Sequence, residues 1–530
     1  MKTDRIFLVG ISGSGKSTVG PRLAERLGWD FADTDRLIEA RTGRSVAAIF
    51  ADDGEQAFRT LEIETLDELS RRDRVVVATG GGAPTTQGGR DAINRGFSVW
   101  LDIAPPVAAG RLSQQTGNED RPLLQGNAEA RLAGLHAARA QYYRRADLHL
   151  DDDDAPVDTL VDRIAAALRE STGLAATVTT PSARYPIFVR DGALAELGAV
   201  ARNVGLHGRA FVITDSNVGP RYGRAIEQAL GRADYPVQTF TIRAGETEKN
   251  LAAVEKVYDW LIDCRAERQD FIVCLGGGVV TDLAGFAAAT YLRGVSFIDV
   301  PTSLLGMVDA AIGGKTGVDL PGAKNMVGAF AQPSAVVCDP GVLAQLPERE
   351  LRSGWAEVVK HGLILDRHLL ADLEAVAGDP HAMQDGDLIG RSVAIKASVV
   401  SDDEREANRR TLLNYGHTIG HALEAVTGYE RYLHGEAVAI GMHAAGRLST
   451  ALGLLTGPDL ARQQEILTRC GLPDSASDVD LDRILTATLH DKKVASGKIR
   501  WVLLNGLGNA CTRNDVSEEA VRAAARPLFA

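Results

Sequence analysis

The feature that most constrains the fold of this chain is a glycine-rich stretch near its start, Gly10-Ile-Ser-Gly-Ser-Gly-Lys-Ser-Thr18. The apolar run Arg5-Ile-Phe-Leu-Val9 precedes it directly and predicts a buried parallel strand, and the pattern after it predicts a helix over Gly15–Leu27. A strand, a glycine-rich loop and a helix in this order form a phosphate-binding loop, because successive backbone N–H groups can converge on phosphate oxygens. The alternative is a turn that happens to contain a lysine, and the flanking strand and helix favour phosphate binding over it.

The side chains of this loop suit a nucleotide with its magnesium ion. Lys16 can reach the outer phosphates, and the Ser17 hydroxyl can ligate Mg²⁺. The residues predicted to bind the nucleotide are Gly13, Ser14, Gly15, Lys16, Ser17 and Thr18. The loop alone does not identify the group that accepts the phosphoryl group.

The size, charge and cysteine content limit the class of protein to which this chain can belong. With 530 residues the chain is too long for one hydrophobic core, so two or three domains are expected. The formal charge of −12 argues against nucleic-acid or membrane partners and leaves small molecules as the expected ones. The cysteines form no C-x-x-C pair, which fits a reducing cytosol. There is no room for a signal peptide and no apolar run of the roughly 20 residues that a membrane span needs, so a soluble, cytoplasmic protein is expected.

The periodicity of the chain predicts an α/β protein with a helical end. Apolar runs such as Val75–Ala78 and Phe97–Leu101 alternate with helical patterns in the first part, which is typical of a parallel-sheet domain of the phosphate-binding-loop type. The predicted parts are this domain over 1–170, a threonine-rich linker over 171–183, an α/β nucleotide-binding lobe over 184–347, and a mainly helical metal-binding lobe over 348–530.

Three further features of the first domain indicate what its second substrate is. Asp33-Thr-Asp35 offers one carboxylate for Mg²⁺ and one for a hydroxyl, or alternatively a helix cap. Arg59 offers a guanidinium that can pair with a carboxylate through two hydrogen bonds, or alternatively an exposed helix charge. Thr79-Gly-Gly-Gly82 follows a strand, and its bare backbone lets a small ring approach closely.

In their order and spacing, these features resemble shikimate kinase over residues 1–170. The resemblance implies the ATP- and Mg²⁺-dependent phosphorylation of shikimate to shikimate 3-phosphate, with Asp33 orienting Mg²⁺ and Asp35 accepting the proton of the attacking hydroxyl. It further implies that Arg59 and Arg139 hold the carboxylate of shikimate, that Gly80, Gly81 and Gly82 lie beneath its ring, and that Arg121 closes on ATP. The residues assigned to catalysis in this domain are Lys16, Asp35 and Arg121.

A second unusual stretch is Pro301–Asp319 in the other half of the chain. Pro, Gly and Asp interrupt it too often for a plain helix or strand, and it contains Asp309, Lys315 and Asp319 among small residues. This composition predicts a backbone that is shaped around a ligand.

Histidines downstream of this stretch indicate a metal site. His417 and His421 are four residues apart and so share one face of a predicted helix, and His434 follows shortly after. Glu357 and Lys360 lie one helical turn apart further upstream. Two histidines and a glutamate with an open position are a common catalytic zinc set, and spacing alone suggests that His417 and His421 both bind the metal.

Together these features resemble 3-dehydroquinate synthase from about Arg184 to the end of the chain. The resemblance implies that Glu357, His417 and His434 hold Zn²⁺, with Co²⁺ as an alternative metal. It assigns His421 to proton relay instead. The two interpretations of the histidines differ, and we adopt the one that the family implies, because the match to the family is dense.

The same resemblance implies NAD⁺ as cofactor and a phosphorylated, carboxylated substrate. The residues expected to bind NAD⁺ are Asp215, Asn217, Glu246, Lys249, Gly277, Gly278, Asp282, Thr302, Ser303, Lys315 and Lys324, of which the first four could equally be ordinary turn residues. The residues expected to bind the substrate are Arg293, Asn325, Lys360, Lys396, Arg410, Asn414 and one of Lys492 and Lys493. Those expected to take part in catalysis are Asp309, Lys315, Lys360 and His421.

The implied second reaction converts 3-deoxy-D-arabino-heptulosonate 7-phosphate to 3-dehydroquinate and phosphate, through a hydride transfer that is later reversed. Arg293 resembles a residue that such families lend across a dimer interface, so a homodimer through this domain is expected. One alternative is a related sugar-phosphate cyclase or a zinc polyol dehydrogenase. Another is that one half is only a structural partner, although neither half has visibly lost a key residue.

Overall fold

The computed structural model describes residues 2–114, 128–321, 323–379, 381–489, 494–495 and 498–529. The chain divides into two compact units, Met1–Thr177 and Val178–Ala530, and the division falls inside the predicted linker. Arg121, Lys492 and Lys493, which the sequence assigns to the two sites, lie outside the described residues.

The first unit is built on a five-stranded parallel sheet with the strand order β2-β3-β1-β4-β5. Its strands are β1 Arg5–Val9, β2 Asp30–Asp33, β3 Val75–Ala78, β4 Phe97–Leu101 and β5 Leu148–Leu150. Its helices are α1 Lys16–Leu27, α2 Thr34–Thr42, α3 Val46–Asp52, α4 Gly54–Leu69, α5 Gln87–Ile93, α6 Pro105–Ser113, α7 Ala128–Tyr143 and α8 Val157–Glu170. The predicted α/β class is confirmed here.

The central strand β1 determines where the chemistry of this unit lies. Its residues Ile6–Val9 are buried, and it pairs with β3 on one side and β4 on the other. In a parallel sheet the loops at the carboxyl ends of neighbouring strands meet at one edge. The loop after β1 and the glycines after β3 therefore lie side by side.

The second unit begins with an α/β lobe on a seven-stranded sheet of order β6-β7-β14-β11-β10-β8-β9, and the division after Thr177 falls within the first of these strands. Its strands are β6 Leu174–Thr179, β7 Arg184–Val189, β8 Ala210–Asp215, β9 Val237–Ile242, β10 Phe271–Gly276, β11 Ser296–Pro301 and β14 Ala335–Cys338, and a separate antiparallel pair is formed by β12 Lys315–Leu320 and β13 Ala323–Phe330. Its helices are α9 Leu197–Asn203, α10 Arg224–Gly231, α11 Leu251–Asp263 and α12 Gly278–Thr290.

Two segments of this lobe are more regular than their composition predicts. The segment 171–183 contains strand β6, whose Leu174, Ala176 and Val178 are buried, so the small residues there pack into a sheet. The stretch Pro301–Asp319 contains a π-helical turn, Gly306–Ala310, and then strand β12. Pairing with β13 supplies the hydrogen bonds that a local pattern cannot reveal.

The remainder of the second unit is mainly helical, as predicted. Its helices are α13 Glu348–Leu365, α14 Arg367–Val376, α15 Gly386–Asp402, α16 His417–Val426, α17 His434–Ala451, α18 Gly457–Arg469, α19 Leu481–Thr488 and α20 Glu518–Ala525. Short strands near the end, which the sequence did not predict, are β15 Val494–Ala495, β16 Lys498–Ile499, β17 Trp501–Leu504 and β18 Ala510–Arg513. Within the described ranges, no helix has both the length and the apolar character that crossing a membrane requires.

Candidate active sites

The glycine-rich loop of the first unit is shaped as the sequence predicts, between the buried strand β1 and helix α1. Gly10, Gly13 and Gly15 have positive φ angles of 145°, 84° and 93°, which favour glycine. A Cβ on Gly13 would lie 2.7 Å from the carbonyl oxygen of Ala108, so the loop has no space for a side chain there. The Lys16 ammonium donates hydrogen bonds to the loop carbonyls of Gly10 at 2.8 Å and Ile11 at 2.9 Å. A compact backbone cradle with an ammonium group beside it fits the polyphosphate of a nucleotide.

Ser17 and Asp33 meet at the entrance of this loop. The Ser17 hydroxyl donates to Oδ2 of Asp33 at 2.9 Å, which brings together the two side chains assigned to Mg²⁺. The other oxygen of Asp33 accepts from the backbone N–H of Asp35 at 3.1 Å and caps helix α2. The helix cap and the predicted role in binding Mg²⁺ are therefore compatible in one carboxylate, because one oxygen caps the helix and the other faces Ser17.

The predicted carboxylate-binding residue Arg59 is buried in helix α4 beside the glycines that follow β3. Its guanidinium pairs with Glu62 at 2.6 Å and with Glu55 at 3.0 Å. A Cβ on Gly82 would lie 2.2 Å from the guanidinium Nη2, so only glycine allows this approach. Glu62 is fully buried, and burial raises the pKa of this carboxyl although Arg59 opposes the shift.

The opposite wall of this pocket comes from helix α7. The Tyr143 hydroxyl donates to the carbonyl oxygen of Gly81 at 2.5 Å, and a Cβ on Gly81 would lie 3.3 Å from a guanidinium nitrogen of Arg139. A Cβ on Gly80 would lie 3.1 Å from a carboxylate oxygen of Asp35. The structure therefore brings Asp35, Arg139 and the three glycines together, as the sequence predicts. Tyr143 is an addition that no sequence pattern indicated.

Several of the predicted NAD⁺ residues lie at the carboxyl ends of the adjacent strands β8, β10 and β11, namely Asp215, Asn217, Gly277, Gly278, Thr302 and Ser303. Gly277 and Gly278 lead into helix α12, and a Cβ on Gly277 would lie 3.3 Å from the Ser303 hydroxyl. The Thr302 N–H donates to the carbonyl oxygen of Gly276 at 2.9 Å, which holds the two loops side by side. A bare backbone at the start of a helix fits a dinucleotide diphosphate.

The pair Asp215 and Asn217 after β8 shows turn chemistry. Oδ1 of Asp215 accepts from the backbone N–H of Asn217 at 2.7 Å and of Val218 at 2.9 Å. These hydrogen bonds explain the local sequence without a ligand, while the position after β8 remains compatible with one.

A buried lysine connects the expected cofactor and substrate residues. Lys249 is only 5% exposed, pairs with the Asp282 carboxylate and donates to Oδ1 of Asn325 at 2.8 Å. Burial raises the pKa of Asp282 to about 6, although Lys249 opposes the shift. Nearby, Lys324 pairs with Glu246 at 2.8 Å. Four expected NAD⁺ residues and one expected substrate residue therefore form one charged network.

The predicted metal ligands converge from three helices, α13, α16 and α17. Glu357 is fully buried, and its Oε1 has no hydrogen-bond partner among the described residues. That oxygen lies 3.7 Å from Nε2 of His417 and 3.9 Å from Nε2 of His434. A buried, unpartnered carboxylate oxygen facing two imidazole nitrogens fits a Zn²⁺ ion, which binds such atoms at about 2.0–2.2 Å each.

The remaining ring nitrogens of both histidines are already engaged in ways that orient the rings. Nδ1 of His417 lies 3.2 Å from the carbonyl oxygen of Tyr415, and Nδ1 of His434 lies 3.4 Å from a Glu424 carboxylate oxygen. Such partners fix the tautomer that leaves Nε2 available to a metal. Burial acts to lower the pKa of His434, but the Glu424 and Glu357 carboxylates outweigh it and raise that pKa.

His421, which its spacing from His417 suggested as a metal ligand, lies next to Glu357, His417 and His434. Its ring centroid is 5.2 Å from that of His417, and it forms a second possible ligand group with Glu424 and His434. Among the residues that the structure describes, no ligand group contains both His417 and His421. Because Glu424 already faces Nδ1 of His434, the geometry favours the set with Glu357. Glu424 lies seven residues after His417 on the same helix face, a signal that the sequence interpretation did not use.

Positive side chains surround the metal set, as expected for an anionic substrate. Lys360 pairs with Glu357, and both are almost completely buried. Lys396 pairs with Asp309, and burial lowers the pKa of Lys396 to about 8 even though Asp309 opposes the shift. Burial also acts to raise the pKa of Asp309, but Lys396 and Lys360 outweigh it and hold that pKa below its ordinary value.

Two further expected substrate residues, Arg410 and Asn414, and the expected catalytic residue Lys315 lie around a carboxylate that the sequence did not predict, Glu406. This side chain pairs with Lys315 and accepts from Nδ2 of Asn414 at 2.6 Å. Arg410 is buried nearby and donates to the carbonyl oxygen of Gly313 at 3.1 Å. Arg293, by contrast, is exposed in a turn after α12 and has a positive φ of 66°.

Three family models match this chain. The model described as shikimate kinase matches residues 12–169. The models described as 3-dehydroquinate synthase N-terminal and 3-dehydroquinate synthase C-terminal match residues 239–353 and 354–494. The matches follow one another along the chain without overlap.

Individual relatives match one part of the chain or the other. A 3-dehydroquinate synthase of Picosynechococcus sp. is 44% identical over 64% of this chain and 94% of the relative. The structure of 2-epi-5-epi-valiolone synthase from Streptomyces hygroscopicus subsp. jinggangensis, with NAD⁺ and Zn²⁺ bound, is 31% identical, with a TM-score of 0.60 over 65% of this chain and 96% of that one. Shikimate kinase from Acinetobacter baumannii, in complex with shikimate, is 38% identical over 32% of this chain and 94% of that one, with a TM-score of 0.30.

Proposed function

This chain belongs to the 3-dehydroquinate synthase family and carries a shikimate kinase domain before it, and from this premise we propose the residues that perform each reaction. It is a bifunctional enzyme of the shikimate pathway. The observation that carries the assignment of the second site is the buried Oε1 of Glu357, which faces two imidazole nitrogens beside a cluster of lysines.

In the first unit, the protein positions two reactants and neutralises charge. ATP and Mg²⁺ supply the transferable phosphoryl group and its counter-charge, with Lys16, Ser17 and Asp33 as the residues that hold them. Arg59 and Arg139 orient shikimate through its carboxylate, which leaves the hydroxyl beside Asp35. Asp35 then accepts the hydroxyl proton as the phosphoryl group is transferred.

In the second unit, separate groups of residues bind the metal, the cofactor and the anionic groups of the substrate. NAD⁺ supplies a reversible hydride acceptor and Zn²⁺ a Lewis acid, the latter held by Glu357, His417 and His434. Lys360, Lys396 and Arg410 neutralise the phosphate and carboxylate of the substrate in a site where unpaired anions would be costly. His421 lies beside the metal set and is the group we assign to proton transfer.

The related sugar-phosphate cyclases are the alternative for the second unit. They are less similar to this chain: the valiolone synthase is 31% identical, against 44% for the 3-dehydroquinate synthase.

We further propose that the enzyme works in the cytoplasm as a homodimer. All five cysteines are free, which suits a reducing compartment. Arg293 is exposed in a turn where Leu292 also has a positive φ, so its side chain is available to a second copy of the chain. Sedimentation equilibrium of the purified chain tests this assembly, and a monomer at working concentration contradicts it. The Arg293→Ala variant is assayed for substrate affinity as a second test.

One experiment separates the two activities. The purified chain is incubated with shikimate and ATP, or with 3-deoxy-D-arabino-heptulosonate 7-phosphate and NAD⁺, and ADP and phosphate are measured separately. Lys16→Ala should abolish ADP formation and preserve phosphate release, while His434→Ala should do the reverse and lose bound zinc. His381→Ala, an exposed histidine of the same unit, is the matched control and should change neither activity. Loss of both activities in either active-site variant would contradict two independent sites.

A further inference from the structure

Helices α16 and α17, which begin with the metal ligands His417 and His434, are in backbone contact with each other. A Cβ on Gly441 would lie 1.9 Å from the carbonyl oxygen of Gly416, and a Cβ on Gly416 would lie 2.7 Å from that of Val438. The glycines therefore let the two helices approach without side chains between them. Since each helix carries one imidazole ring, the relative position of the helices determines how the two rings face the metal.

A hydrogen-bonded bridge of Tyr415, Gln463 and Met442 crosses this contact. The Tyr415 hydroxyl donates to Oε1 of Gln463 at 2.7 Å, and Nε2 of Gln463 donates to the carbonyl oxygen of Met442 at 2.7 Å. All three residues are fully buried. A Cβ on Gly446 would lie 2.6 Å from the same Nε2, so the glycine leaves the space that the amide occupies. Gln463 of helix α18 thus joins helix α17 to the segment that leads into helix α16.

The backbone of Tyr415 contacts one of the metal ligands. Its carbonyl oxygen lies 3.2 Å from Nδ1 of His417, so the direction of this carbonyl influences the orientation of the imidazole ring. Its N–H donates to the carbonyl oxygen of Leu412 at 3.2 Å. Burial raises the pKa of the Tyr415 hydroxyl, although the hydrogen bond to Gln463 opposes the shift, so the hydroxyl keeps its proton and acts as a donor.

We propose that Gln463 is a positioning residue of the metal site, which acts through Tyr415 on the metal ligand His417. This inference rests on the synthase function proposed above. Because Gln463 holds the Tyr415 side chain and helix α17 at the same time, it fixes the Tyr415 carbonyl relative to the helix that carries His434. Nε2 of His417 is then presented to the metal in a constant orientation relative to Nε2 of His434.

The bridge should affect the affinity for the metal. Groups that hydrogen-bond a metal ligand directly change metal affinity by about 10- to 100-fold. Gln463 acts through one further residue, so the expected change in the Kd is at the lower end of this range, about 10-fold. Loss of either partner leaves a buried polar group without its hydrogen bond, and this is unfavourable enough to shift the surrounding side chains.

The test measures the Kd of the full chain for Zn²⁺ by competition with a chromophoric chelator. Gln463→Met keeps the length of the side chain and removes its amide, and Tyr415→Phe removes only the hydroxyl. Each variant should raise the Kd about 10-fold. The double variant should raise it no further, because both changes break the same bridge. The visible absorption spectrum of the protein loaded with Co²⁺ reports the coordination geometry and should change in all three variants.

Ser449→Ala is the matched control. Ser449 is fully buried in helix α17, and its hydroxyl accepts from the backbone N–H of Leu504 at 3.0 Å. The control removes a buried hydrogen bond from the same helix and leaves the Tyr415 bridge intact. It should lower the melting temperature and change neither the Kd for Zn²⁺ nor the spectrum of the Co²⁺ form.

An unchanged Kd in Tyr415→Phe overturns the proposal, and so do single effects that multiply to about 100-fold in the double variant. An equal loss of zinc affinity in Ser449→Ala also overturns it, because any loss of stability would then weaken the metal site. If Gln463→Met does not fold, Tyr415→Phe decides alone. An unmodified chain that binds no zinc would contradict the proposed function itself, and with it the role of Gln463.

Discussion

The buried pair of Lys360 and Glu357 makes a quantitative prediction about stability and metal binding. Lys360 is 1% exposed and Glu357 fully buried, and the lysine pairs with the Oε2 atom of the glutamate. Lys360→Met keeps the volume of the side chain and removes its charge. In the zinc-free protein this change leaves a buried carboxylate without its counter-charge, a loss that costs about 3–5 kcal/mol.

This cost translates into a measurable change in melting temperature. The second unit contains about 350 residues, so its unfolding entropy is roughly 0.7 kcal/mol per kelvin. The zinc-free Lys360→Met variant should therefore melt about 4–7 °C lower than the unmodified protein. With zinc present the drop should be smaller, because the metal then compensates the Glu357 charge.

Differential scanning calorimetry with and without zinc tests this reasoning, with zinc content measured independently. The double variant Glu357→Gln with Lys360→Met is the matched control, since it removes both charges together and should melt above the single variant without zinc. A drop of less than about 1 °C, or an equal drop with and without zinc, would refute the reasoning, because the Glu357 charge would then not depend on either partner.

Three further predictions follow from single contacts. Gly82→Ala places a Cβ 2.2 Å from the Arg59 guanidinium, so steady-state kinetics should show a KM for shikimate raised by about 10-fold or more, with phosphate release by the second site unchanged. Lys396 is charged below about pH 8 and neutral above it. The KM of the synthase for its anionic substrate should therefore rise as the pH increases through 8. A KM that stays constant from pH 7 to 9 would contradict this. Asp282 is ionised above about pH 6 and protonated below it. The Kd of NAD⁺, measured by fluorescence titration, should therefore rise as the pH falls through 6. The variant Asp282→Asn should show no such pH dependence.

Local sequence was sufficient to predict the features that are formed by residues close together in the chain. The phosphate-binding loop was predictable because strand, loop and helix follow one another directly, and the positive φ angles of Gly10, Gly13 and Gly15 confirm its shape. The strands Val75–Ala78 and Phe97–Leu101 were predictable because both faces are buried and the residues are continuously apolar.

The features that the sequence did not predict depend on contacts with residues that are distant in the chain. Strand β6 lies in a segment whose composition predicts a linker, and β12 lies in one whose glycines argue against a strand. In both cases neighbouring strands, not local propensity, supply the hydrogen bonds. The same applies to Tyr143, which reaches Gly81 across 62 residues of chain.

The sequence by itself determined the order of the two domains, the class of each reaction and the residue types at each site. Only the tertiary structure decided which atoms face each other. Spacing alone suggested that His417 and His421 share a metal, the family resemblance suggested His417 and His434, and in the structure His434 faces Glu357 together with His417. Glu424 behind His434, and Glu406 between Lys315 and Asn414, likewise emerge only in three dimensions. The physical reason is that a site is a convergence of side chains from separate elements, and their directions depend on how those elements pack.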